Sequence, residues 1–228
     1  MEEFDGNEFS DYPEKRKIHV IMVRTVLLST AYLAPVDYYF QIYNHTQVII
    51  EAHCNYIKQT YRNRCTIASA NGVQTLSIPI VKPDSLKCLT KDIRIAEHGN
   101  WRHLHWNAIV SAYNSTPFFE YYEDDFRRFY EKPAGFLFDF NEELRELICS
   151  LLDISPQISY SNEYAFTSQS DVLDLREAIH PKKEPVLQNF RPYYQVFETK
   201  YGFKENLSII DLLFNKGTEA VFWLSSNF

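Results

Sequence analysis

The sequence predicts an α/β fold: an N-terminal strand–helix–strand sheet unit with a hairpin, followed by a helical segment and a C-terminal return. Three observations carry this. Short continuous apolar runs, Val26-Leu27-Leu28-Ser29 and Val48-Ile49-Ile50, read as strands buried on both faces. Between them Val36, Tyr39, Phe40 and Tyr43 recur at helical spacing behind Pro35, which suits a first helical turn. Asn71-Gly72, set between two apolar segments, marks a hairpin.

Along the chain, residues 1–17 read as a solvated tail with six acids and three bases. Residues 1–21 are expected to be dispensable, with Met22 as a possible start ahead of the first strand. Residues 18–34 are apolar but interrupted by His19 and Arg24. They fall short of the ~20 clean residues a membrane span needs, so one or two buried strands are expected there. The hairpin strands are Arg64–Ser69 and 73–80, with Pro79 marking an edge or an end. Alternation over 92–96, with Ile93 and Ile95 inward, predicts a further strand.

Helices then take over. Trp101, Leu104, Ala108, Ile109 and Ala112 form one stripe, and Pro117 opens a second helix to about Tyr130. Asp139 with Glu142 resembles a capping box before Leu144, Leu147, Ile148, Leu151 and Leu152. Residues 155–192 have little pattern and read as loop or linker. Residues 207–214 read as a final helix stopped by Gly217. The elements group into one domain, 18–228: sheet-rich at 18–98, helical at 100–153, returning over 154–228.

Composition narrows the function. Six glycines and the lack of either phosphate-loop pattern argue against a Rossmann dinucleotide site and a P-loop. A net charge of −7 argues against a nucleic-acid partner. The four cysteines, Cys54, Cys65, Cys88 and Cys149, have no zinc spacing and read as reduced thiols. With an acidic N-terminus unlike a signal peptide, this predicts a cytoplasmic protein. No cofactor and no metal are expected.

Charge is unevenly placed: residues 51–105 are locally +4 and 117–147 are −5. Within the basic part, Tyr56, Lys58, Arg62 and Arg64 share a face if 56–64 is a strand, making an anion site for a nucleotide sugar or sugar acid. The alternative is a basic face pairing with the acidic helices. The loop Ser29-Thr30-Ala31-Tyr32-Leu33-Ala34-Pro35 runs from a strand end into a helix, where α/β sheets bind ligands, or is an ordinary connection.

Glu51 and His53 point the same way at a strand end, so the carboxylate could orient the imidazole; a surface pair is the plainer reading. His105 borders the helical stripe and serves as an acid–base group or as a hydrogen-bonded structural histidine. His98 and His103 do not converge with it as metal ligands. Glu123-Asp124-Asp125, among Arg127, Arg128 and Lys132, reads as a solvated face.

Together these segments resemble the WbqC-like family. The opening loop at 29–35 precedes Tyr38-Tyr39-Phe40, where that family has a Gln-Pro-x-Tyr-Leu-Pro pattern. Tyr56-Ile57-Lys58 with Asn63-Arg64, Trp101-Arg102-His103-Leu104-His105-Trp106, Tyr113, Pro117-Phe118-Phe119 and the closing motif at 207–217 follow in order. The resemblance covers roughly 25–153 and 190–220. The chain departs from the family at two places: Ser29-Thr30 replaces Gln-Pro, and Ala52-His53 with Glu51 stands where paired aspartates are usual. The segment 155–190 looks shorter than in longer members.

The resemblance implies bacterial surface-polysaccharide biosynthesis, with transfer of an amino-acid-like acyl group to an amino sugar as one expected reaction. In that reading His53, His105 and Glu51 are the catalytic candidates. Tyr32, Tyr56, Lys58, Arg62, Asn63, Arg64 and Trp101 bind a small-molecule sugar or nucleotide sugar. The alternative is a non-enzymatic binding or scaffold subunit of the same pathway.

Overall fold

A computed structural model describes residues 25–83, 85, 87–164 and 171–225. The tail at 1–17, residues 18–24 and the start at Met22 lie outside the described residues. The chain is mixed α/β. A four-stranded parallel sheet has the order β5-β2-β1-β6, built from β1 (Thr25–Ser29), β2 (Gln47–Glu51), β5 (Gln157–Tyr160) and β6 (Val172–Asp174). A two-stranded antiparallel ribbon is formed by β3 (Arg64–Ser69) and β4 (Gly72–Ser77).

β1 is central, and its Val26, Leu27 and Leu28 are all buried, as expected of a strand covered on both faces. It runs beside β2 in register, Thr25 opposite Gln47 through Ser29 opposite Glu51. The helix between them, α1 (Val36–Asn44), begins one residue after Pro35, which caps it in extended conformation. Its buried face is Val36, Tyr38, Tyr39 and Ile42, while Tyr43, expected inward, is exposed.

The ribbon turns through Ala70-Asn71 onto Gly72, whose φ of +104° is open to glycine at no steric cost. Residues 92–96 form no continuous strand among the described residues. Ile95 bridges Ile80 and Arg94 bridges Phe136, yet Ile93 and Ile95 are buried as the alternation requires.

Three helices follow: α2 (Trp101–Tyr113), α3 (Phe119–Glu131) and α4 (Leu137–Leu151). α2 buries Trp101, His105, Ile109 and Ala112. Leu104 is 60% exposed, so the stripe is rotated from the expected phase. α4 begins at Leu137, two residues ahead of Asp139, so Asp139 and Glu142 are interior to the helix and form no capping box. The segment expected as loop, 155–192, supplies both edge strands of the sheet, β5 and β6.

After α5 (Glu198–Tyr201), the return ties the layers together. Val36 N–H donates to the Leu207 carbonyl at 3.0 Å, Ser208 N–H to Thr66 at 2.8 Å, and Ile209 N–H to Ala34 at 2.9 Å. Residues 207–209 therefore bridge the α1 entry and the ribbon. The helix α6 (Ile209–Lys216) that follows is buried through Asn215, and α7 (Val221–Leu224) closes the described chain. Rings of Phe119, Tyr113 and Phe126 surround Phe214 at 5.2–5.3 Å between centroids. Aromatic residues are 16% of the chain, and many of them lie in this interior. Among the described residues no helix is long and apolar enough to cross a membrane.

Candidate functional site

Four parallel strands bring their carboxyl ends to one edge, where open α/β sheets receive ligands. Ser29 ends β1, Glu51 ends β2, Ser161 follows β5 and Asp174 ends β6. This edge is polar although buried. Glu51 is 1% exposed and fully engaged: its Oε1 accepts from Ser161 Oγ at 2.7 Å and from His53 N–H at 2.7 Å, and its Oε2 from Arg176 Nη1 at 2.8 Å.

Arg176 is shared with Asp174, to which Nε donates at 3.0 Å and Nη2 at 2.6 Å. Burial pushes the Asp174 carboxyl up, but the bonds from Arg176 outweigh it and hold the group below its ordinary value. Arg176 also lies over the Tyr164 ring, 4.7 Å from its centroid.

Arg62 enters the same edge from the loop after β2. Its side chain is 2% exposed. Nη2 donates to Ser29 Oγ at 2.8 Å and to Glu177 Oε1 at 2.9 Å, with Cys54 Sγ at 3.7 Å. Ser29 Oγ in turn donates to the Arg176 carbonyl at 3.1 Å, linking the two arginine sites. Asn141 on α4 fixes the Arg62 backbone, donating to its carbonyl at 2.8 Å. Arg62 Nε has no partner although it is buried. Between 28–31, 60–62 and Arg176 lies a cleft of about 10 Å³, room for about one water.

Residues 52–63 are not a strand. Tyr56 N–H bonds the Cys88 carbonyl, Thr90 Oγ1 bonds the Cys54 carbonyl, and the chain turns at Gln59 with φ +61°. Tyr56, Lys58, Arg62 and Arg64 therefore share no strand face. Tyr56, Arg62 and Arg64 are still neighbours: burial raises the Tyr56 phenol to about 12, with Arg64 and Arg62 drawing it down. Lys58 is exposed on the turn. Asn63 donates from Nδ2 to the Ile78 carbonyl at 2.9 Å, which anchors the loop beside the ribbon. Arg62 meets Glu177 rather than the acidic 117–147 helices.

His53 lies beside Lys91, whose Nζ is 2.9 Å from Nε2. A lysine ammonium can only donate, so Nε2 accepts and the ring proton belongs on Nδ1. That Nδ1 is buried without a partner. Among the described residues, four buried polar atoms without partners come from this one segment: His53 Nδ1, Arg62 Nε, Asn63 Oδ1 and Arg64 Nε.

The remaining sequence candidates form a second group in the interior. The Tyr32 hydroxyl bonds His105 Nδ1 at 3.0 Å and the Tyr130 hydroxyl at 2.7 Å. Trp101 packs edge-on against His105, 5.2 Å between centroids. Burial lowers His105 to about 4, opposed by a hydrogen bond to the Ser77 backbone, so the ring is neutral at pH 7. The sequence candidates thus fall into two groups, Tyr32, Trp101 and His105 in the interior and Tyr56, Arg62 and Arg64 in the other. Tyr32 reaches the edge only through its backbone, its N–H donating to Tyr61 at 2.8 Å. His103 is exposed beside Asn107.

Sequence reasoning missed Arg176, Asp174, Glu177 and Ser161, all in the segment read as loop. It also missed Glu142, which accepts from Thr30 Oγ1 at 2.9 Å and from Arg145 Nε at 2.7 Å. The available signal was Asp174-Leu175-Arg176 after the short apolar pair Val172-Leu173. The four cysteines are free thiols. Among the described residues no group of three or more metal-ligating side chains converges.

Comparison with known proteins gives a family and one relative. The uncharacterized protein Rv1507c of Mycobacterium tuberculosis is 24% identical over 226 residues, spanning 87% of this chain and 96% of that protein. No solved structure matches the chain. The model of the WbqC-like protein family matches residues 30–184. The match extends past the expected end at 153 to include β5, β6 and the Arg176–Glu177 segment, and stops short of the motif at 207–217. Running from the loop after β1 to the residues that close over Arg62, it places the chain in the WbqC-like protein family.

Proposed function

We propose that the protein is a group-transfer enzyme of bacterial surface-polysaccharide biosynthesis that holds a small anionic sugar or nucleotide-sugar ligand at the carboxyl edge of its parallel sheet. The observation that carries this reading is Arg62 at that edge, buried with its Nε unpartnered, in a segment whose His53, Asn63 and Arg64 also hold unpartnered buried atoms. Buried polar groups in folded proteins are nearly always satisfied, so a cluster of such atoms is a place where a polar ligand or ordered water would bond. The family resemblance supports the pathway.

Arg62 is the anion seat, with Arg64 and Tyr56 beside it. Glu51 is a positioning residue: its oxygens are already occupied, and through the His53 N–H it fixes the imidazole. His53 donates from Nδ1 to the leaving group or to the carbonyl under attack. As that proton leaves, Nε2 takes one from Lys91, so both side chains end neutral. The ring works as an acid, because Lys91 occupies Nε2. His105, Tyr32 and Trp101 support the site from the interior.

The test is calorimetry of the wild-type chain with nucleotide sugars, sugar acids and acyl thioesters. At least one should bind, and Arg62→Lys should weaken it about tenfold, since the planar fork is lost while the charge stays. Equal binding by the variant contradicts the seat. A non-enzymatic subunit is the second reading; Leu104 on α2 and Tyr121 on α3, 60% and 78% exposed on neighbouring helices, favour a partner surface.

A further inference from the structure

Arg62 is buried, yet its ionic partner is not. The Glu177 side chain is 54% exposed and reaches in from the segment after β6. That segment lies across the loop holding Arg62. Lys183 Nζ donates to the Glu177 carbonyl at 2.7 Å, and Lys182 Nζ donates to Gln59 Oε1 at 2.8 Å. Its far end is fixed by Asp37 on α1, whose carboxylate accepts from Val186 N–H at 2.7 Å and Leu187 N–H at 3.2 Å.

We infer that Glu177 is a built-in competitor for Arg62, occupying the seat that a ligand carboxylate takes in the working state. This inference rests on the reading of Arg62 as the anion seat. A buried guanidinium without a counter-charge is costly, so the seat is filled at all times. Glu177 can give up the contact cheaply, because half of its side chain is already in water. The exchange is then one carboxylate for another, with Ser29 Oγ keeping its bond to Nη2 and Nε becoming available as a second donor.

Charge and space point to a carboxylate rather than a phosphate. Arg176 nearby already carries two carboxylates, Glu51 and Asp174. A dianion replacing Glu177 would add negative charge beside that pair, whereas a monoanion restores what was there. The cleft of about 10 Å³ beside Arg62 has room for about one water, so an incoming group fits only in the place that the Glu177 carboxylate gives up. The ligand class is therefore a sugar acid or another small carboxylate.

The test compares wild type with Glu177→Gln, which keeps a hydrogen-bonding oxygen toward Arg62 and removes the charge. Thermal melts confirm the fold, and titration with glucuronate and with inorganic phosphate follows. Glu177→Gln should bind glucuronate about fivefold tighter than wild type, the scale of one partly exposed ion pair, and prefer it to phosphate. Arg62→Lys should weaken glucuronate binding in either background and abolish the gain from Glu177→Gln. Equal glucuronate affinity in wild type and Glu177→Gln overturns the competitor while leaving the seat intact. A preference of Glu177→Gln for phosphate overturns the carboxylate class. Binding in neither chain, or binding unaffected by Arg62→Lys, overturns the seat itself and the inference with it.

Discussion

His105 shows how a side chain that looks catalytic in sequence is resolved by its neighbours. A buried imidazole is tolerated when both nitrogens are satisfied, and here Tyr32 and the Ser77 backbone do this. Its lowered value has a consequence for stability. Between about 4 and the ordinary 6.5 the unfolded chain binds a proton that the folded chain does not, so stability falls as pH drops through that window. Denaturant melts at pH 7.5 and 4.5 should show wild type losing about 2 kcal/mol more than His105→Gln. An equal loss in both chains contradicts the buried neutral ring. At pH 7, His105→Ala should cost about 1–3 kcal/mol by leaving the Tyr32 hydroxyl and the Ser77 backbone short of a partner.

At the scale of elements, α6 and the edge strands carry the weight. α6 ends at Gly217, whose φ of +59° few other residues adopt, and a Cβ there would lie 2.7 Å from the Phe118 ring. Gly217→Ala should therefore destabilise by more than about 1 kcal/mol. Phe214→Ala, at the centre of the aromatic cluster, should cost about 3–5 kcal/mol. Urea melts check both. The segment after β6 hangs on Asp37. Asp37→Ala should abolish hydrogen-exchange protection at Val186 and Leu187 while sparing the amides of β1 and β2. Protection retained at 186–187 would show that something other than Asp37 holds the segment.

The legibility of elements followed their burial. β1 and β2 are central, so they read as continuous apolar runs, and α1 between them completed the unit. β5 and β6 are edge strands of four and three residues, mostly half-buried or exposed, and edges carry little apolar signal. That is why the 155–192 segment hid half of the site. On α2 the sequence placed His105 at the border of the stripe, and it is buried, whereas Leu104, read into the stripe, is exposed: hydrogen bonds to Tyr32 and the Ser77 backbone make His105 the inward one. Tertiary bonds of this kind leave no mark in local periodicity.

At the scale of the molecule, the strand–helix–strand unit, the ribbon and the C-terminal return meet so that one sheet edge gathers Ser29, Glu51, Arg62 and the Asp174–Arg176 pair from four stretches of chain. Arg62 and Glu51 were visible in sequence as candidates because charge at a strand end or in a basic run stands out. Their grouping was not, since it depends on β6 pairing with β1. A sheet edge built this way, with Glu51 and Asp174 engaged by Arg176 and an Arg62 guanidinium whose Nε has no partner, is suited to hold an anion. The measurement that tests this most directly is a crystal structure of the wild-type chain with glucuronate. The account predicts the carboxylate on Arg62 beside Ser29, with Glu177 turned out to solvent. Glucuronate bound elsewhere, for example in the hollow of about 520 Å³ beside Arg145 and Tyr160, with the Arg62–Glu177 pair intact, would contradict it.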